Sequence, residues 1–117
     1  MIILAEALKV NNNLEKIRLF RIDLNSEGMI ALSEGIKINK SLKYIDIREN
    51  EIRSLGMIHF SEVLKSNITL KTIIISSNQI DDTGMIVFSE GLKVNTSLQR
   101  IDLSNNNIGD EEIGRAS

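Results

Sequence analysis

The sequence predicts a single α/β domain, a right-handed solenoid with parallel strands on its concave side and helices on its convex side. The first observation is that apolar residues recur every 28 residues without an insertion. A fixed period of about 20 to 50 residues is typical of chains that stack one structural unit on the next. The second is that each interval holds a strand-like alternating segment followed by apolar residues at helical spacing.

The period is visible at several positions of the unit. The sets of equivalent residues, each 28 apart, are Leu14/Leu42/Leu70/Leu98, Ile17/Ile45/Ile73/Ile101, Leu19/Ile47/Ile75/Leu103, Leu24/Ile52/Ile80/Ile108 and Gly28/Gly56/Gly84. We therefore divide the single array, residues 1–117, into repeats. The partial first repeat is 1–13, the full repeats are 14–41, 42–69 and 70–97, and the partial last repeat is 98–117.

The second repeat shows both elements of the unit. Apolar and polar residues alternate from Tyr44 to Arg48, which predicts a strand with one buried face. Met57, Phe60 and Leu64 then follow at the spacing of one helix face. Each unit is therefore expected to run strand, loop, helix, loop.

Glycines mark two positions where a side chain would obstruct packing. The series that begins at Gly28 is expected to stand just before each helix, where the chain turns in. Gly35 and Gly91 fall within helices, where each glycine costs about 1 kcal/mol relative to alanine. We expect a close approach of helix to sheet to compensate for that cost.

The curvature follows from two spacings. Strands in a sheet lie about 4.8 Å apart, whereas packed helices need about 8 to 10 Å. A stack that contains both layers must bend, with the strands on the inner side. The connection between successive parallel strands is expected to be right-handed.

The motif within each unit resembles a known family. Leu-x-x-Leu-x-Leu-x-x-Asn-x-Leu is matched, with isoleucine substitutions, by residues 42–52, 70–80 and 98–108. With its repeat length, the chain resembles the ribonuclease-inhibitor-like class of leucine-rich repeat proteins. That class includes nuclease inhibitors, tropomodulin-type actin regulators and the Ran GTPase-activating protein. The resemblance implies a horseshoe array that binds other proteins.

Two series of asparagines are expected to be structural. The family's asparagine position falls on Asn50, Asn78 and Asn106, whose amides should satisfy the backbone of neighbouring turns. Ile22 occupies this position in the first full repeat, so we expect the turn there to be distorted, wetter or more mobile. The second series follows the helices and is interpreted as left-handed caps: Asn11, Asn39, Asn67 and Asn95. Three of these match the N-x-S/T glycosylation pattern, which we interpret as copies of one loop.

Composition disfavours several classes of partner. Fourteen basic and sixteen acidic residues give a formal charge of -2, without the positive excess that nucleic acid binding needs. No apolar stretch approaches the roughly 18 residues of a membrane-spanning helix, and no secretory leader is apparent. We therefore expect no nucleic acid partner, no membrane partner and a cytoplasmic location.

Catalysis finds no support in the residue pattern. His59 is interpreted as a partly exposed helix residue, and Asp81-Asp82 as a solvated loop. There is no cysteine, and no phosphate loop or nucleophile motif occurs. The sequence therefore predicts no enzyme, no catalytic residue, no metal and no cofactor.

The strand residues that alternate away from the core form the candidate protein-binding face. Its central row is Arg18, Asp46, Ile74 and Asp102, in which Arg18 and Asp46 can pair. Ile74 is expected to be an exposed apolar anchor near Tyr44 and Phe20, unless strand propensity alone selected these residues. The full set is Lys16, Arg18, Phe20, Tyr44, Asp46, Arg48, Thr72, Ile74, Ser76, Arg100, Asp102 and Ser104.

The first hypothesis is a non-catalytic protein-interaction module that uses this face, a scaffold for a protein partner. The alternative is a GTPase-activating regulator resembling the Ran GTPase-activating protein, with Arg53 reaching a nucleotide. A third is a fragment of a longer array without independent function. Because neither end shows a polar cap, head-to-tail self-association is a further hypothesis.

Overall fold

The computed structural model describes residues 1–106, in which helices and strands alternate along the chain. The helices are α1 (Ile2–Val10), α2 (Ser26–Ile38), α3 (Arg53–Ser66) and α4 (Asp82–Val94). The strands are β1 (Lys16–Arg18), β2 (Tyr44–Asp46), β3 (Thr72–Ile74) and β4 (Arg100–Asp102). The predicted α/β solenoid is confirmed. Ile108 and the segment after it lie outside the described residues.

The strands form one parallel sheet in the order β1-β2-β3-β4. Ile17 lies opposite Ile45, Ile45 opposite Ile73, and Ile73 opposite Ile101. Residues one period apart are therefore lateral neighbours, as the period predicts. Among residues 1–106, no helix combines the length and apolarity needed to cross a bilayer.

The core lies between the sheet and the helix layer. Ile45 and Ile73, from the strand side, are fully buried, as is Met57 from the helix side. The rings of Phe60 and Phe88 stack with their centroids 6.0 Å apart, which joins α3 to α4. Because each unit packs on its neighbours, the core is continuous from one repeat to the next.

The glycines act differently from the prediction. Gly28 lies inside the first turn of α2 rather than before it. Gly35 and Gly91 face neighbouring helices, not the sheet: a Cβ would lie 2.6 Å from the Ala5 carbonyl oxygen at Gly35 and 2.7 Å from that of Ser61 at Gly91. The close approach that requires glycine is therefore between helices.

The predicted asparagine ladder is confirmed, and it explains the turn at Ile22. The Asn50 side chain donates to the Leu19 carbonyl at 2.8 Å and accepts from the Ile22 amide at 3.0 Å. Asn50 thus satisfies the turn of the preceding repeat. The expectation of a distorted turn was wrong: φ is 51° at Arg21 and 57° at Asp23, close to the values of the Asn78 turn. Ile22 is nevertheless 46% exposed.

The second asparagine series is structural, but its conformation differs from the prediction. Asn39 has φ -64° and ψ 136°, which is extended rather than left-handed. Its Oδ1 accepts from the Leu42 amide at 2.7 Å, and its Nδ2 donates to the Leu8 carbonyl at 2.9 Å. The amide side chain therefore closes its own turn and links that turn to α1, the helix of the preceding repeat. The extended backbone of Asn39 permits both contacts.

Candidate functional site

The concave face is formed by the strand residues that point away from the helices, and its members differ in exposure. The exposed members are Lys16, Arg18, Phe20, Arg48, Arg100 and Ser104. The half-buried members are Tyr44, Thr72 and Asp102. The buried members are Asp46, Ile74 and Ser76.

Ile74 is not the exposed anchor that the sequence predicted. Only 5% of its surface is accessible. The sheet register places Asp46 on one side of it and Asp102 on the other. Because strands lie about 4.8 Å apart and their side chains converge on the inner side of a curved sheet, neighbours cover a residue in the central row. An aliphatic side chain at this position packs within the face and offers little area to a partner.

The expected pair between Arg18 and Asp46 does not form, although the two residues are lateral neighbours. The Asp46 carboxylate, which is 1% exposed, pairs instead with the Arg48 guanidinium at 3.3 Å. The Arg18 guanidinium lies 5.3 Å from the centre of the Tyr44 ring. Arg18 and Arg48 both project on the side of Asp46, and Arg48 forms the ion pair while Arg18 packs on the Tyr44 ring.

Cations surround the aromatic rings at the β1 and β2 half of the face. Lys16 and Arg18 lie 5.5 and 5.3 Å from the centre of the Tyr44 ring. Arg21 and Arg48 each lie 5.2 Å from the centre of the Phe20 ring, and Phe20 is 46% exposed. These are cation-π distances. We call this group the basic-aromatic cluster: Lys16, Arg18, Phe20, Arg21, Tyr44 and Arg48.

Arg21 is the member of the cluster that sequence reasoning missed. It lies in the turn after β1 with a positive φ of 51°, outside the alternating strand pattern. Its guanidinium pairs with the Glu49 carboxylate at 3.2 Å. Glu49 lies one period further along the chain, so the repeat register was the signal that could have revealed this pair.

The β3 and β4 half of the face is richer in hydroxyl groups. Thr72, Ser76 and Ser104 lie here, and Arg100 is the one cation among the face residues of this half. The Ser104 hydroxyl donates to the Asp102 carboxylate at 2.6 Å, and its amide donates at 3.0 Å. The hydroxyl hydrogen bond has the largest effect on the pKa of Asp102, and together with the amide hydrogen bond it lowers that pKa below its usual value. The face is therefore polarised, with its cations concentrated at one end.

The remaining sequence candidates are held by local contacts. Arg53, the first residue of α3, pairs with Glu51 at 3.6 Å and donates to the Gln79 side chain at 3.3 Å. His59 is half-buried, with Nδ1 3.2 Å from the Leu55 carbonyl of its own helix. Asp81 caps α4 by accepting from the Gly84 amide at 3.1 Å. Across residues 1–106, no three His, Cys, Asp or Glu side chains group together to hold a metal.

The comparison with protein families matches more than half of the chain. The matching family is described as "Leucine Rich repeat", and the matched residues are 39–61, 66–89 and 94–111. The first two matches each begin near the end of a helix and run through a strand into the next helix, and the third runs from the end of α4 through β4. No protein with a curated description matches the chain.

The solved structures that share the fold include two that are described by their titles. One is titled "Leiomodin-1 Actin-Binding Site 2 (ABS2)", with a TM-score of 0.88, 17% identity, and coverage of 96% of this chain and 67% of that chain. The other is the tropomodulin C-terminal domain from Caenorhabditis elegans, with a TM-score of 0.63 and 13% identity. The match covers 96% of this chain and 88% of that domain. At these identities the likeness concerns the fold.

Proposed function

The chain belongs to the leucine-rich repeat family, and we propose that it is a non-catalytic interaction module that holds a protein partner on its concave face. The observation that carries this proposal is the basic-aromatic cluster, in which an exposed Phe20 lies between two arginines. Aromatic and arginine side chains are enriched among the residues that contribute most to protein interfaces.

The contrast between the two sides of the sheet supports the same surface. The core row repeats one residue type: Ile17, Ile45, Ile73 and Ile101. An accessible concave row, whose members are exposed or half-buried, changes at every step: Lys16, Tyr44, Thr72 and Arg100. Packing in the core restricts the residue type in the first row, whereas the residue types in the second row can vary to contact a partner.

Several finer statements belong to this proposal. We assign the chain to the ribonuclease-inhibitor-like class on its 28-residue repeat, and we keep the repeat boundaries given above. We place the protein in the cytoplasm. We also propose that nucleic acid is not a partner, and the formal charge of -2 supports this second statement. Head-to-tail self-association stays a prediction, and sedimentation over a concentration series tests it.

The GTPase-activating alternative is not carried forward. Neither of the two similar structures described above is titled as a GTPase activator. An arginine that completes a nucleotide site must be able to reach the transferred phosphate. Arg53 instead starts a helix and contacts Glu51 and Gln79.

Site-specific photocrosslinking tests the proposed function. Phe20→p-benzoylphenylalanine places the reactive group on the concave face, and Glu34→p-benzoylphenylalanine places it on the exposed side of α2 as the control. In cells of the source organism, we expect the Phe20 position to capture a protein that the Glu34 position does not. Capture at Glu34 alone, or at neither position, contradicts the proposal.

Calorimetry with the purified partner then tests the contribution of the face. Phe20→Ala should weaken binding about tenfold, since truncated interface aromatics commonly cost this much or more. Glu34→Ala should leave the affinity unchanged. Monomeric actin is the first defined protein to test, because the similar leiomodin-1 structure is titled as an actin-binding site. If the captured partner binds Phe20→Ala with the same affinity as the parent chain, its docking site lies elsewhere on the molecule.

A further inference from the structure

We infer that the basic-aromatic cluster receives an acidic segment of the protein partner, through carboxylates that pair with Lys16 and Arg18. This inference rests on the proposed function and names the chemistry of the partner. Its basis is the distribution of charge on the concave face, whose β1 end is basic although the whole chain has a formal charge of -2.

Two of the four cations in the cluster are already neutralised. Arg21 pairs with Glu49 at 3.2 Å, and Arg48 pairs with Asp46 at 3.3 Å. Lys16 and Arg18 lie against the Tyr44 ring. Among the described residues, neither has a carboxylate partner within ion-pair distance. Glu15, their neighbour in sequence, is engaged by Lys43 at 3.8 Å. The cluster therefore has two cations available to an external anion.

The two available cations are held in a defined arrangement. Lys16 and Arg18 occupy alternate positions of β1, so their Cα atoms lie roughly 6 to 7 Å apart on one side of the sheet. Packing against Tyr44 restrains both side chains before a partner arrives, which lowers the entropy lost on binding. An extended segment with Asp or Glu at alternate positions presents carboxylates at the same spacing.

The same contacts favour carboxylates over nucleic acid bases. Bases bind by stacking on aromatic faces that are free to receive them. The Tyr44 ring already has Lys16 and Arg18 beside it, and the Phe20 ring has Arg21 and Arg48. A stacked base would have to displace these cations, whereas a carboxylate adds to them. Two available cations are also few for following a phosphate backbone.

An NMR titration tests the inference without knowledge of the partner. The probe is a short acetylated peptide of alternating Glu and Ser, added to the isotopically labelled chain. We expect saturable amide shifts at residues 16–20 and 44–48, and an affinity that falls as salt rises from about 50 to 300 mM. A matched peptide of alternating Gln and Ser should cause no shifts. Shifts spread evenly over the lysines of the chain would overturn the inference.

Matched charge variants identify the cations involved. Lys16→Gln/Arg18→Gln should weaken peptide binding about fivefold, since two exposed ion pairs are lost. Lys37→Gln/Lys40→Gln removes the same charge from exposed positions outside the cluster and should have no effect. The reversal Lys16→Glu/Arg18→Glu should bind a Lys-Ser peptide in place of the Glu-Ser peptide. Equal weakening by both glutamine pairs, or tighter binding of oligouridylate at the cluster, would overturn the inference.

The two experiments separate the inference from the proposed function. A partner that crosslinks at Phe20, combined with no peptide binding, overturns the acidic specificity and leaves the docking function in place. Peptide binding at the cluster without any crosslinked partner supports the anion preference and counts against the docking function.

Discussion

Adjacent residues of β3 show how one sheet can bury both of its sides. Ile73 faces the helices and is fully buried, whereas Ile74 faces the concave side and is 5% exposed. Ile73 is enclosed by the core, which no partner can reach. Ile74 is enclosed by its lateral neighbours Asp46 and Asp102. A substitution at Ile74 therefore tests packing within the face before it tests binding.

We predict that Ile74→Asp lowers the free energy of unfolding by about 2 kcal/mol at neutral pH, because it buries a third carboxylate between two others. Ile73→Asp should lose more than about 3 kcal/mol, since its charge enters the core. Urea denaturation followed by circular dichroism measures both. Ile74→Asn, of similar size without charge, is the control, and an unchanged midpoint for Ile74→Asp would contradict the prediction.

Asp81 should make the stability of α4 depend on pH. Hydrogen bonds from the Ser54 hydroxyl, which has the larger effect, and from the Gly84 amide lower the pKa of this exposed carboxylate below its usual value. A lowered folded-state pKa contributes stability that is present above the unfolded-state pKa and is lost as pH falls through the folded-state pKa. We predict that Asp81→Asn, which keeps the cap, reduces the loss of stability on acidification below about pH 4.

The expected difference for Asp81 is a few tenths of a kcal/mol, because solvent screens an exposed group. Thermal denaturation of both chains at neutral and acidic pH measures it. Glu27→Gln is the control, since it removes another exposed carboxylate without removing a cap side chain. The prediction is contradicted if Asp81→Asn leaves the loss of stability on acidification unchanged while Glu27→Gln reduces it. That result would show that the total charge of the chain, rather than this cap, determines the loss.

At the scale of elements, the start of α3 differs from the starts of α2 and α4. Asn25 and Asp81 cap α2 and α4 by accepting from glycine amides at 2.9 and 3.1 Å. Arg53 occupies the corresponding position of α3, which has no side-chain cap. Arg53 also has φ 59°, a left-handed conformation that costs a long side chain about 1 kcal/mol. The missing cap thus coincides with a changed backbone at the start of α3.

We predict that Arg53→Asn stabilises the protein by about 1 kcal/mol, because asparagine can adopt the extended conformation of Asn25 and cap the Gly56 amide. If the backbone stays left-handed, asparagine also tolerates that region better than arginine. Arg53→Ala removes the same guanidinium without adding an acceptor and should give no such gain. Thermal denaturation of both variants provides the measurement. Equal stability of the two variants would show that the cap is not what this position lacks.

Arg53 and Gly91 show which features of an element the sequence reveals. The period aligns Arg53 with Asn25 and Asp81, so the departure was visible, but it was interpreted as a nucleotide-reaching arginine. For Gly91 the sequence predicts a close approach of helix to sheet, but the partner is the Ser61 carbonyl of the neighbouring helix. Periodicity identifies equivalent positions, whereas the contacts at those positions depend on how adjacent units pack.

At the scale of the whole molecule, the period was sufficient for the fold but not for the surface. It predicted that Arg18 and Asp46 lie side by side, and their backbones do. It could not predict that Asp46 pairs with Arg48 while Arg18 packs on Tyr44. Side-chain rotamers and competing partners decide such pairs, and neither follows a repeat. The basic-aromatic cluster therefore became visible only in three dimensions.

The asparagine ladder predicts how stability is coupled along the array. The side chains of Asn50 and Asn78 both donate to the Ile47 carbonyl, each at 2.9 Å. Asn78 and Asn106 share the Ile75 carbonyl in the same way, at 3.2 and 3.1 Å. Asn50 and Asn106 have no common acceptor among the described residues. Each rung is thus linked to the next rung and not to the one after it.

We predict that Asn50→Ala and Asn78→Ala are non-additive by at least about 0.5 kcal/mol, because removing either changes the carbonyl that both satisfy. Asn50→Ala and Asn106→Ala should be additive within about 0.5 kcal/mol, since they lie two strand spacings, roughly 10 Å, apart. Urea denaturation of the single and double variants gives both coupling energies. Equal coupling for the two pairs would mean that the array unfolds as one block with long-range interactions. Coupling confined to adjacent rungs is what a stack with nearest-neighbour contacts requires, because each repeat then completes the hydrogen bonds of the repeat before it.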